Sequence, residues 1–249
     1  MVYVRVMTRI DDLHISVNGE TLLLDRSGAA VWPTERTLIF ADLHFEKGSA
    51  YAKRGALLPP YDTRTTIKRM AEVIARFAPR RVIALGDSFH DGEAADRLDR
   101  AEREMLARLA ASAEWIWVEG NHDPKPPGWI GGSVAAEIAL GGLVFHHLPS
   151  GQAGEVAGHL HPATVVRRNG MNVRRRCFVS DGARLLLPAF GAYAGGLDVR
   201  DAAIASLFAD GFAVYALGRE RVYAVHMPRR KKSDEIQPSS TAIRTVNRP

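Results

Sequence analysis

The chain reads as an α/β protein in which two β-sheets pack together with helices outside them. Two observations predict this class. Through residue 118, short apolar runs at 37–41, 82–85 and 114–118 alternate with stretches of helical periodicity. Beyond about residue 143, strand patterns follow one another with little helix between them, so a second sheet is expected to lie on the first.

The elements follow in order. Leu13–Val17 and Glu20–Leu24 flank Asn18-Gly19, the pair that a type I′ hairpin turn requires. Trp32-Pro33 interrupts, and Thr37–Ala41 forms the next strand. Asp62 or Thr63 is expected to cap a helix running to about Phe77, with Ile67, Met70, Ile74 and Phe77 on one face. Pro79 stops it, and Val82–Leu85 follows as a buried parallel strand ending at Gly86-Asp87. A second helix is expected over Glu93–Ala111, then a strand at Glu114–Val118 and a rigid loop over Pro124–Trp129. Leu143–Phe145 leads into His146-His147, and strands are expected at Thr164–Arg168, Arg174–Val179 and Arg184–Leu187. Arg174, Arg175 and Arg176 alternate along their strand, so at most two face one way. A helix near Val199–Ala209 precedes a final hairpin, Phe212–Leu217 with Arg221–Val225. Residues 1–227 read as one domain, and 228–249 as a basic, polar tail expected to be disordered.

The totals narrow the class. The 249 residues are 46% hydrophobic and 24% charged, ordinary for a soluble globular protein. No apolar run approaches membrane-spanning length, and residues 1–10 lack the unbroken core of a signal peptide. Cys177 stands alone, which excludes an internal disulfide and fits a reducing cytoplasm. Net charge is +5, but the tail carries six Lys/Arg against two acids, leaving 27 bases and 26 acids in residues 1–227. The high pI therefore says little about what the folded body binds.

Function is carried by the strand ends. Of nine histidines, seven (His44, His90, His122, His146, His147, His159, His161) fall between residues 44 and 161, at or just after expected strand ends. His14 and His226 stand outside and read as surface or structural residues. Imidazole with carboxylate and almost no thiolate suits Mn, Fe or Zn in a reactive centre rather than a structural zinc site. Each motif alone is weak. The ordered set is specific: Asp42-x-His44, Gly86-Asp87, Gly120-Asn121-His122-Asp123, His147, Gly158-His159-x-His161.

This set resembles the calcineurin-like metallophosphoesterase superfamily over residues 37–162. The resemblance implies a four-layer α-β-β-α double β-sandwich with two divalent metals on the strand ends. Carried onto this sequence, Asp42, His44, Asp87 and His161 would hold one metal, and Asp87, Asn121, His147 and His159 the other, with Asp87 bridging. Two cations about 3.5–4 Å apart need such a shared anion, and together they clamp a phosphate and activate a water. His122, next in sequence to Asn121, is assigned to the substrate, stabilising phosphoryl charge or protonating the leaving oxygen. Three residues after Asp87 many members carry an acid, whereas this chain has His90. That variant is similar to the nuclease subunit of the double-strand-break repair complex, where the residue supports the catalytic His. Of the adjacent pair, the spacing His147-Leu148-Pro149 favours His147 over His146 as ligand.

A narrower likeness rests on Asp42–Gly48, Gly158–Pro162 and Leu187–Gly196, which together resemble the bacterial DNA-ligase-associated metallophosphoesterases. It implies a Mn-dependent phosphodiesterase or endonuclease of DNA repair, with DNA, single-stranded for preference, as substrate and a ligase and a helicase as partners. Fe, Zn or Mg are the alternatives to Mn. Lys47 and Arg54 are candidates for substrate phosphates, and Tyr193, among Gly191, Gly195 and Gly196, for the cleft wall. The rival readings are the same chemistry on small phosphoesters, a metal-bearing repair adaptor without catalysis, and a protein phosphatase. Oligomeric state stays open.

Overall fold

Strands β4 (Thr37–Ala41), β5 (Arg81–Leu85) and β6 (Glu114–Val118) lie parallel and in register, Thr37 beside Arg81 beside Glu114. They form the centre of a seven-stranded sheet in a computed structural model that describes residues 13–56, 58–123, 126–168 and 170–225. The antiparallel run β1 (Leu13–Val17), β2 (Glu20–Leu24) and β3 (Ala30–Trp32) extends one side of this sheet, and β7 (Ser133–Ala135) pairs parallel to β6 on the other. The Asn18-Gly19 turn forms as expected, with φ of 49° and 87°.

The second sheet has eight strands. Its path runs β15 (Val222–Val225), β14 (Ala213–Leu217), β12 (Met171–Ser180), β13 (Leu185–Leu186), β10 (Glu155–Ala157), β9 (Leu143–His146) and β8 (Glu137–Leu140), with β11 (Ala163–Arg168) paired to β12. The pairing of β9 with β10 is parallel, so their carboxyl ends emerge side by side.

Alternation along the central strands sorts side chains into layers. Ile39, Ala41, Ile83 and Leu85 point between the sheets, where they meet Leu22, Phe145, Phe178 and Leu185. Leu38, Phe40, Val82 and Ala84 point the other way, onto Ile67, Met70 and Val73 of α2 (Asp62–Phe77) and Leu106 of α4 (Arg100–Ala110). On the outer face of the second sheet, Ile204 of α5 (Ala202–Ala205) and Phe208 cover Val179 and Leu186. Each fully buried Leu, Ile or Phe contributes about 1.5–3 kcal/mol, so the two-sided burial of β4 and β5 makes them the most securely placed strands. The result is the four-layer α-β-β-α double sandwich.

Local chemistry alters some boundaries. The helix expected over Glu93–Ala111 is two: α3 (Ala94–Arg97) and α4, divided at extended Asp99. Asp99 accepts the Glu102 N–H at 2.7 Å while the Glu102 carboxylate accepts the Asp99 N–H at 3.3 Å, a reciprocal capping box that starts a new helix. At α2 the N-cap residue is Tyr61, without a side-chain cap. Asp62 and Thr63 do not cap it, because their side chains turn instead to the backbone of Gly48 and Glu46. The helix expected over Val199–Ala209 shortens to α5, begun by Asp201 accepting the Ala203 N–H. Short β3, β7, β8 and β10 form by pairing with neighbours rather than from any periodicity of their own. Arg174 and Arg176 reach the same region, bonding Gly196 O and the carbonyls of Ala189–Gly191, which fits the alternation expected. His226, residues 1–10 and the tail 228–249 lie outside the described residues, as does part of the loop 124–129.

Replacing Asp99 by Ala removes the side-chain acceptor of the Glu102 N–H and should lower stability by about 1 kcal/mol. The check is a urea titration, which should show a lower midpoint with an unchanged slope.

Candidate metal centre

The loops that leave β4 and β5 continue to pair after the strands end. The His44 N–H donates to Asp87 O at 2.9 Å, Phe45 N–H to Ser88 O at 2.8 Å, and His90 N–H to Phe45 O at 2.9 Å. This sets Asp42 and Asp87 next to one another at the carboxyl ends of parallel strands, where open α/β sheets place their chemistry. Both are almost wholly buried, at 0% and 2% exposed. The path demands unusual backbone: Asp42, His44, Asp87, His159 and His161 all have positive φ, between 46° and 68°. Each such residue costs on the order of 1–3 kcal/mol, and Asp and His are among the side chains that tolerate it best.

Two clusters result. Asp42, His44 and His161 bring ligand atoms within 4.8 Å of one another, and Asp87, His147 and His159 do the same. His161 Nε2 lies 3.1 Å from Asp42 Oδ1 and 3.2 Å from His44 Nε2. His147 Nε2 lies 2.8 Å from Asn121 Oδ1, 3.3 Å from Asp87 Oδ1 and 3.2 Å from His159 Nδ1. The structure thus brings together all seven residues expected as ligands. Asp87 falls in the second cluster, and Asp42 Oδ1 of the first lies 3.8 Å from His147 Nδ1 of the second, so the two clusters adjoin.

The donor set fits divalent cations. His147 Nδ1 is 3.0 Å from Leu85 O and donates its proton there, which leaves Nε2 a bare lone pair facing three other acceptors. Such a convergence of lone pairs is unfavourable unless a cation, or protons, fill it. Protons are a poor solution at His44, where burial, then the neighbouring His161 and Lys47, push the imidazole pKa down to about 2. Burial lowers His159 as well. His147 moves upward, its burial outweighed by the hydrogen bond to Asp87 and the charges of Asp42 and Asp87. Asp87 lies below the ordinary carboxylate range although its burial opposes this, held there chiefly by His147 and the His122 N–H. Its Oδ1 accepts that N–H at 2.9 Å, and Asp42 accepts the His159 N–H at 3.0 Å.

His146 and His147 separate cleanly. His146 Nε2 bonds Glu155 Oε2 at 3.0 Å, and the same carboxylate oxygen takes the Ser150 N–H and hydroxyl, each at 2.6 Å. Glu155 therefore fastens the loop that follows His147. His122 lies at the cleft mouth, its Nδ1 2.9 Å from His90 O and its ring stacked on His90, centroids 5.5 Å apart at 17°. His90 itself sits 5.6 Å from His44, and burial lowers its pKa to about 4. Lys47 opens α1 (Lys47–Lys53) half-buried among Asp42, Asp87 and Asp62, with its pKa lowered by burial. Arg54, just beyond α1, is exposed. The Tyr193 hydroxyl donates to Pro59 O at 2.7 Å, which ties down the rim rather than leaving the phenol free.

Sequence reasoning passed over several residues that build this site. Asp123 is 5% exposed and accepts the Phe89 N–H at 2.9 Å, and burial raises its pKa to about 7. Its place in Gly120-Asn121-His122-Asp123 was the available signal. Glu46, with φ of 65°, accepts hydroxyls from Ser49 and Thr63, and Asp62 accepts the Gly48 N–H, so α1 is tacked to the start of α2. No periodicity announces such a clasp.

Two predictions follow from this geometry. Gly86 has φ of +65°, and a Cβ there would lie 2.5 Å from the His147 ring, so Gly86→Ala should displace His147. Bound-metal analysis should then show a loss at the second cluster while the far-ultraviolet circular dichroism is kept. Glu155 is held below its ordinary value of 4.5: burial pushes upward, but the bonds from His146 and Ser150 outweigh it. A depressed carboxylate stabilises the fold above its unfolded pKa and loses that contribution as pH falls through the folded one. The stability gap between wild type and Glu155→Gln should be constant near neutrality and shrink below about pH 4.5, as read by chemical unfolding at each pH.

Similarity to known proteins extends over most of the chain. The crystal structure of Pseudomonas putida nuclease MPE superposes with a TM-score of 0.67 at 28% identity, over 86% of this chain and 99% of that one. A phosphoesterase from E. coli, Yfce, is similar at 13% identity with a TM-score of 0.36, over 74% of this chain and 88% of that one. No curated protein matches the sequence. Residues 35–182, which include both clusters, match the Calcineurin-like phosphoesterase family, and the chain belongs to that family.

Proposed function

We propose that the protein is a dinuclear, Mn-dependent phosphodiesterase that acts as an endonuclease on DNA, preferring single strands. The observation that carries this reading is the pair of adjoining His/Asp clusters, in a chain whose solved neighbour at 28% identity is a nuclease. Asp42, His44, Asp87 and His161 would hold one ion and Asp87, Asn121, His147 and His159 the other. The donor set of carboxylate, amide oxygen and imidazole suits Mn, Fe or Zn, and Mn is favoured among them by the resemblance to the bacterial DNA-ligase-associated metallophosphoesterases. Two such ions supply charge neutralisation for the phosphoryl group and acidify a water at neutral pH.

The chain's own residues do the rest. His122 gives a proton to the leaving oxygen or stabilises charge on the phosphoryl group. The carbonyl of His90 holds its Nδ1, and the His90 ring backs its face, so His90 acts as a positioning residue. Lys47 and Arg54 receive phosphates of the strand, and Tyr193 shapes the wall of the cleft. In this reading residues 1–227 are one catalytic domain, and the basic residues 228–249 add attraction for nucleic acid. The setting is cytoplasmic DNA repair beside a ligase and a helicase.

A second reading, the same chemistry on small phosphoesters, is favoured by one observation: residues 1–227 are nearly neutral, whereas duplex binding draws on a basic stripe. The deciding experiment measures hydrolysis of bis-p-nitrophenyl phosphate and of labelled single-stranded DNA with Mn, Mg and Zn. Wild type should cleave both with Mn, chelation should abolish both, and Asp87→Asn should cleave neither. His122→Ala should lose about 10²–10⁴-fold in kcat while keeping its metal. Diester cleavage without DNA cleavage, or a DNA KM indifferent to salt, would establish the small-substrate reading instead.

A further inference from the structure

One aromatic ring beside the metal centre is unassigned by the reading above. Tyr51 lies on α1 with 38% of its surface exposed. Its ring centroid is 6.2 Å from that of His90, inclined at 35°, and His90 in turn stacks on His122. Three rings therefore stand in succession: exposed His122 with Nε2 3.8 Å from Asp87, then buried His90, then Tyr51, itself open to solvent. A tyrosine half open to water beside a polar, charged cleft is poorly explained as core packing.

Its neighbours on the helix are cations. Lys47, Tyr51 and Arg54 stand at i, i+4 and i+7, one stripe of about 10 Å at 1.5 Å rise per residue. Lys47 is half-buried at the start of α1, two residues after the His44-Phe45 segment that pairs with Asp87 and Ser88, and Arg54 is exposed at the helix's other end. The other nearby cations are already engaged. Lys53 pairs with Glu93 at 2.7 Å, and Arg97 grips Asp91 through two bonds of 2.8 and 2.9 Å. Arg97 also donates to Ser49 Oγ at 2.8 Å, which fastens α1 to the His90–Asp91 loop and holds Tyr51 against His90. A cation, an open ring and a second cation in a row match phosphate, base and phosphate of a nucleic-acid strand.

We propose that Tyr51 is the stacking platform for the nucleobase next to the scissile phosphate. A paired base has both faces occupied by its stacked neighbours, so the contact selects an unpaired strand. The inference rests on the DNA-nuclease reading and adds the residue that would give it single-strand preference.

The test compares wild type, Tyr51→Leu and Tyr51→Trp, each loaded with Mn. The substrates are a labelled single-stranded oligonucleotide and the same strand with abasic sites around the cleavage position. Tyr51→Leu should raise KM on the intact strand by about 5- to 150-fold with kcat kept, the range produced by losing one base–aromatic stack. On the abasic strand it should match wild type, and Tyr51→Trp should behave as wild type on both. In the His122→Ala background, 2-aminopurine placed in the strand should be quenched on binding with Tyr51 and much less with Leu there. An unchanged KM on the intact strand, or an equal rise on both strands, would overturn the inference. Failure of the wild type to cut any DNA, with bis-p-nitrophenyl phosphate still hydrolysed, would instead bring down the nuclease reading, and this inference with it.

Discussion

The structure depends on holding two buried carboxylates, Asp42 and Asp87, side by side. Like charges this deeply buried repel more strongly than they would in water, because the effective dielectric around them is lower. Backbone pairing beyond the ends of β4 and β5 keeps them there: His44 to Asp87 and Phe45 to Ser88. The N–H groups of His159 and His122 point at the two carboxylates and offset part of the repulsion. The remainder is what a pair of divalent cations would discharge. The positive φ values at Asp42, His44 and Asp87 belong to the same arrangement, at the turns that follow β4 and β5.

Other features of the fold serve this contact from behind. The segment after β13 runs against the Asp42 loop, with Phe190 N–H donating to Ala41 O at 2.8 Å and Gly191 N–H to Asp42 O at 3.1 Å. Its carbonyls are gripped by two partly buried guanidiniums, Arg69 at Phe190 O and Arg176 at Ala189 to Gly191. Arg69 also lies over the Phe190 ring, 4.3 Å from its centroid. Burial lowers the Arg176 pKa to about 10, which still leaves the group charged at neutral pH. Leu187–Gly196, one of the stretches that carry the narrower family likeness, is thus the brace for the first cluster.

The second sheet supplies three of the four imidazoles in the two clusters, and His44 comes from the first. Parallel β9 and β10 end together, so His147, His159 and His161 arrive from one direction while Asp42, Asp87 and Asn121 arrive from the other sheet. Neither sheet alone carries a complete set of ligands for either cluster. The apolar layer between them, from Ile39 and Ile83 to Phe145 and Phe178, is therefore part of the site's construction.

Much of this was legible in the chain. Parallel strands buried on both faces announce themselves as apolar runs, and each ends in its functional residue, so Asp42, Asp87 and Asn121 could be placed by position alone. The same holds for the Asn18-Gly19 hairpin, whose turn chemistry is local. The Asp99 capping box was also written there, as Asp-x-x-Glu, but the helical periodicity around it ran on and hid the break. Tertiary structure alone decided what depends on approach from elsewhere in the chain. The spacing His147-Leu148-Pro149 already favoured His147 over His146, and packing supplies the reason: His147 meets Leu85 while His146 meets Glu155. That Asp62 and Thr63 clasp α1 instead of capping α2, and that Tyr51 comes to rest on His90, follow from contacts between segments distant in sequence. Periodicity and turn chemistry are properties of neighbouring residues and can be read in one dimension, whereas a clasp or a stack exists only once the layers have packed.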